Sequence, residues 1–116
     1  MPRDIVILSP IQPDAADLSH VAAKIDATLR ASDLANGAIT QLLTADGQAV
    51  LTVTLNAASH VKTHNETTRL IPGVPEAPVW WIEAWAPAGE IGDLGVEIAR
   101  AFADRLHAEC LIEDEP

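Results

Sequence analysis

The segment Val79-Trp80-Trp81-Ile82-Glu83-Ala84-Trp85-Ala86 carries every tryptophan of the chain, which otherwise has one Phe and no Tyr. Bounded by Pro78 and Pro87, this bulky run is too short for a helix and reads as one β-strand. Side chains alternate along a strand. Trp80, Ile82 and Ala84 therefore share one face, and Trp81, Glu83 and Trp85 share the other. The wholly apolar face is the one to bury, which leaves two tryptophans flanking a carboxylate on the opposite surface. No other segment limits the fold as tightly.

Elsewhere the core must come from Ala, Val, Ile and Leu. Ile5-Val6-Ile7-Leu8 is apolar on both faces and stops at Ser9-Pro10, the pattern of an interior strand. Asp14 is placed to cap a helix, with Asp17 as a partial capping-box partner. From there Leu18, Val21, Ala22, Ile25 and Leu29 recur at helical spacing. This predicts a helix over Asp14–Arg30 that fades by Asn36-Gly37. Asp46-Gly47 is a hairpin turn pair. On its far side Leu51, Val53 and Leu55 alternate with Thr52, Thr54 and Asn56, one apolar face and one polar. The near strand, Ile39 to Thr44, has adjacent Leu42 and Leu43, which a bulge or a covered strand end would explain. Residues 57–71 read as a strand extension and return, followed by a fixed, proline-rich connection from Pro72 to Pro78. A second helix is expected over Asp93–Cys110, from Leu94, Ile98, Phe102 and Leu106 at spacings of four with Asp93 as cap, and then a short edge strand at Leu111-Ile112.

The 116 residues suit a single domain. The order β-α-β-β-(β)-β-α predicts an α+β two-layer sandwich, with a four- to five-stranded, mostly antiparallel sheet and two helices on one face. Trp80 and Ile82 are expected to pack against those helices, near Ile98 and Phe102. The uncovered face then bears Thr52, Thr54, Trp81, Glu83 and Trp85, and large apolar groups on an open face call for a reason.

The net charge of −10, from 17 acidic and 7 basic residues, repels phosphate backbones. Nucleic acid is thus an unsuitable ligand, and a basic partner is electrostatically favoured. The apolar N-terminal run is too short for a signal sequence, and no stretch approaches a membrane span. A single Cys110 suits a reducing compartment. The expectation is a cytoplasmic protein that binds neither membrane nor nucleic acid.

Chemical motifs are sparse. His60, His64 and Glu66 are the one cluster of metal-ligand types, yet on a strand residues four apart stand over ~13 Å apart, and Lys62 opposes a cation. A solvated loop or strand end explains them better. His107 and Cys110, read as three apart late in the second helix, lack a second pair of ligands; helix-dipole stabilisation of the one and burial of the other account for them. Gly89, Gly92 and Gly95 faintly resemble an anion cradle, but Glu90 and Asp93 would repel a phosphate. No nucleophile elbow or catalytic triad is visible, and no cofactor or metal site is expected.

What remains is a binding platform of Trp81, Glu83 and Trp85 with Thr52 and Thr54 beside it. Residues two apart on one strand face are about 7 Å apart, close enough to hold one planar or cationic group. The plainer alternative is that a loop folds over these rings. On this reading the chain is a small acidic protein-binding module rather than an enzyme. It would engage a basic protein, or itself as a homodimer, in the manner of immunity or antitoxin-like inhibitors. The second class is a small-ligand binder or enzyme with a pocket using Glu83 and a histidine.

Overall fold

The computed structural model describes residues 3–34, 38–55, 59–61 and 79–114. In chain order the elements are β1 (Arg3–Ser9), α1 (Ala15–Ile25), β2 (Arg30–Leu34), β3 (Ile39–Leu43), β4 (Ala49–Val53), β5 (Ser59–Val61), β6 (Val79–Ala86), α2 (Glu90–Arg105) and β7 (Glu109–Asp114). Together they form the expected α+β fold, one sheet with helices against it, but the sheet is wider than four or five strands. Its order is β2-β3-β4-β6-β1-β7, with β5 also paired to β6. Every pairing is antiparallel.

The tryptophan strand is internal. β1 lies along one side of β6, with Ile5 opposite Ala84 and Ile7 opposite Ile82. On the other side, β4 meets its C-terminal half and β5 its N-terminal half. β1 in turn separates β6 from the edge strand β7.

Both helices cover the face that carries Ile5, Ile7, Leu51, Val53, Ile82 and Ala84. Those residues form one buried cluster with Leu18, Val21 and Ala22 of α1 and Ile98, Ala99 and Phe102 of α2. Burial of each large aliphatic side chain there is worth about 1.5–3 kcal/mol. Ile82 meets the expectation fully, being 0% exposed in the same cluster as Ile98 and Phe102. Trp80 is only half-buried and stands opposite Ser9 near the end of the pairing.

Both helices are shorter than their periodicity suggests. Asp14 caps α1 by accepting a 2.9 Å bond from the Ala16 N–H, but the helix ends at Ile25. There the Asp26 carboxylate accepts from the Thr28 N–H at 3.0 Å and the Thr28 hydroxyl at 2.6 Å. That turn redirects the chain into β2, so Leu29 and Arg30 leave the helix. Asp17 makes no capping box; it accepts from Arg105 Nε at 2.7 Å and ties the two helices together.

α2 starts at Glu90, ahead of Asp93, with Gly89 as its N-cap at φ 86°. Asp93 instead pairs with Arg3 at 2.7 Å. At the other end His107 adopts a left-handed φ of 57°, while the Ala108 N–H donates to the Ala103 carbonyl at 2.8 Å. This cap closes the helix before Cys110. His107 and Cys110 are therefore in a turn and in β7, not on a shared helical turn.

Gly92 and Gly95 serve packing. A Cβ on Gly92 would fall onto the Pro87 carbonyl, and one on Gly95 onto the Val50 carbonyl. Their lack of side chains lets α2 seat directly on the backbone of β4 and of the loop after β6. The Asp46-Gly47 turn is present, with the Thr44 N–H donating to Gln48 at 2.9 Å. The irregularity expected near Leu42 and Leu43 is a register shift at that point.

Candidate tryptophan-bearing sheet face

Register fixes what lies on the face away from the helices. Asp4 stands opposite Trp85 on one side and Glu113 on the other; Val6 stands likewise between Glu83 and Leu111. Three neighbouring strands thus set out two adjacent rows, Trp85-Asp4-Glu113 and Glu83-Val6-Leu111. Directly opposed side chains in such a sheet have Cβ atoms about 5 Å apart. Thr52 continues the first row beyond Trp85, and Gln41 Nε2 donates to its hydroxyl at 3.3 Å.

Trp81, Glu83 and Trp85 do share this face, and the two rings differ in exposure. Trp85 is 37% exposed and Glu83 is exposed. Trp81 is half-buried and faces Leu8, which is 0% exposed although it lies outside the cluster beneath the helices. The Trp81 end of the face is enclosed; the Trp85 end is open.

Thr54, just beyond β4, is committed to the fold. Its N–H and its hydroxyl each donate to the Glu83 carbonyl at 2.9 Å, and its hydroxyl accepts from the Glu83 N–H at 3.1 Å. The hydroxyl therefore holds Glu83 in place, where the sequence alone suggests a group offered to a partner.

Two clefts adjoin on the open end. One, of about 290 Å³, is lined by Asp4, Val6, Glu83, Trp85 and Glu113 among others. The second, of about 260 Å³, shares Asp4, Val6 and Glu113 and adds Leu111 and Ile112. Asp4, Val6, Leu111 and Glu113 belong to this surface yet are invisible to a reading centred on β6. Only the long-range pairing of β1 with both β6 and β7 brings them there.

The other candidates separate. Neither His20 nor His107 lines either cleft. His60 is in register with Trp80, while His64, Glu66 and the proline-rich connection lie outside the described residues. Burial pushes the Cys110 thiol above its usual range, which suppresses the thiolate. Among the described residues no group of three His, Cys, Asp or Glu side chains is arranged to hold a metal ion, and no helix is long and apolar enough to cross a membrane.

Comparison with protein-family models, curated proteins and solved structures returns no match.

Proposed function

We propose that this chain is a protein-binding module, not an enzyme, and that it engages a basic partner in the cytoplasm through the open sheet face. The observation that carries the reading is Trp85: a large apolar ring, 37% exposed, beside Asp4 on the face opposite the one that both described helices cover. Exposed aromatic rings bordered by polar groups are the usual anchors of protein interfaces. The surrounding carboxylates and the net charge of −10 would accelerate encounter with a positively charged surface. Inhibitors of the immunity or antitoxin type share this size and acidity, an analogy of kind that makes a basic toxin or enzyme the first partner class to test.

The test begins with a protein that copurifies with the intact chain, produced separately and titrated by calorimetry. Changing Trp81 and Trp85 together to Ser should weaken that complex at least about a hundredfold, with most of the loss from Trp85. The double variant should keep the circular dichroism of the parent. Unchanged affinity in a folded double variant would defeat the reading.

A further inference from the structure

We infer that the open end of the sheet face is a receptor for one arginine side chain together with an adjacent aliphatic side chain of a basic protein segment. The inference rests on the proposed binding role and specifies the chemistry of the partner.

Four features of the surface lead there. Trp85 forms a wall of the 290 Å³ cleft with Asp4, Glu83 and Glu113 around it, so a planar cation can stack on the indole while its edge meets carboxylates. Val6 lines the same cleft, between Glu83 and Leu111 in the second row, and offers an apolar floor for the methylene stem of a long basic side chain. The adjoining 260 Å³ cleft is bordered by Leu111 and Ile112, which suits an aliphatic neighbour. Finally, Asp4 and Glu113 are placed directly opposite one another on adjacent strands. Facing like charges weaken a sheet, and a cation seated between them would remove that cost.

Charge selects the occupant. Among the described residues Asp4, Glu83, Glu109 and Glu113 fall on this half of the face, and the cation in the same layer, Arg30, is on the far strand β2. A second copy presenting the same patch about a two-fold axis would set carboxylates against carboxylates. The described carboxylates are also not grouped to close on a metal ion. A guanidinium fits better than an ammonium because it is flat, stacks on an indole and donates through a fork to paired carboxylates.

The experiment titrates the full chain with three synthetic peptides, in which leucine alternates with arginine, lysine or glutamate. Tryptophan fluorescence and amide chemical shifts are the readouts. The arginine peptide should bind about tenfold tighter than the lysine peptide, and the glutamate peptide should not bind. Asp4→Asn with Glu113→Gln should reduce arginine-peptide affinity at least about tenfold and raise the Tm by roughly 2–4 °C. A merely structural role would not couple a gain in stability to a loss of binding.

Equal affinity for lysine and arginine peptides overturns the arginine assignment and leaves the face as a general cation-binding surface. Affinity that survives the carboxylate changes but falls with Trp85→Ser also overturns the assignment, and leaves the face as an apolar contact surface. If light scattering shows a dimer that Trp85→Ser dissociates, the occupant is a second copy, and the arginine assignment fails while the face remains an interface. Arginine-peptide binding that survives both the Trp85 and the carboxylate changes defeats this inference and the binding role of the face together.

Discussion

Strands β1 and β6 present two opposite chemistries from one backbone. Toward the helices they place Ile5, Ile7, Ile82 and Ala84, each no more than 1% exposed. Away from them they place Asp4, Val6, Glu83 and Trp85 around clefts open to solvent. The same antiparallel ladder supports both sides, so backbone pairing does not explain the difference; what covers each side does. The outer side is itself divided, with Leu8 sealed opposite Trp81 and Trp85 open beside Asp4. Side-chain alternation determines which residues share a face, but only tertiary packing determines which of them meet solvent.

The contrast is most easily broken with paired substitutions. Ile82→Ala should cost about 2–5 kcal/mol in urea unfolding, because it opens a cavity in the helix-covered cluster. Trp85→Ser, on the same strand, should cost far less despite removing a larger side chain. Similar losses for the two variants would mean that the outer face is as well packed as the inner one.

Gly95→Ala tests how closely α2 is seated. The added methyl would meet the Val50 carbonyl, and overpacking of this kind typically costs 1–3 kcal/mol. A thermal midpoint equal to the parent would show that the helix has room to lift.

Thr54→Val should cost about 1 kcal/mol through loss of the hydroxyl contacts to the Glu83 peptide. Its effect on partner affinity should be smaller than that of Glu83→Gln. The reverse ranking would return Thr54 to the contact surface.

His107→Gly should stabilise the chain by about 0.5–1 kcal/mol, since glycine adopts the left-handed conformation at this helix end without steric cost. The smallest effect concerns acid. The Thr28 hydroxyl and then its N–H hold the Asp26 carboxyl below the usual aspartate range. The associated stability is present above the ordinary aspartate pKa and is lost as pH falls through the depressed value in the fold. Asp26→Asn should slightly flatten the acid limb of the stability profile, and an unchanged limb would show that the Asp26–Thr28 turn contributes nothing.

Much of this architecture is legible in local sequence. β1, β4, β6, the hairpin at Asp46-Gly47 and the Asp14 cap follow from apolar period and turn chemistry, because their determinants lie within a few residues of each other. β2 does not, because Arg30-Ala31-Ser32-Asp33-Leu34 has no clean alternation and Leu29 falsely prolongs the stripe of α1. The true stop is the side-chain turn at Asp26, which competes with the helix from inside an otherwise helical pattern. His107 is comparably deceptive, since the left-handed position at a helix end usually belongs to glycine or asparagine. Trp81, Glu83 and Trp85 could be placed on one face from sequence. Their neighbours Asp4 and Glu113 could not, since they arrive through pairings between the two ends of the described chain.

Those pairings also set an order of events at synthesis. β2, β3 and β4 are joined by short connections and can pair soon after they are made. β1 is made before any of them, yet its place is between β6 and β7. Its apolar run, Ile5 to Leu8, must therefore wait with both edges unpaired until β6 has been translated, and with one edge unpaired until β7 follows. Non-local closure of this kind is slow and leaves a sticky segment available to other chains. For this molecule, the interval between making β1 and making β6 is the period of greatest exposure to aggregation, and the point at which a chaperone would be most useful.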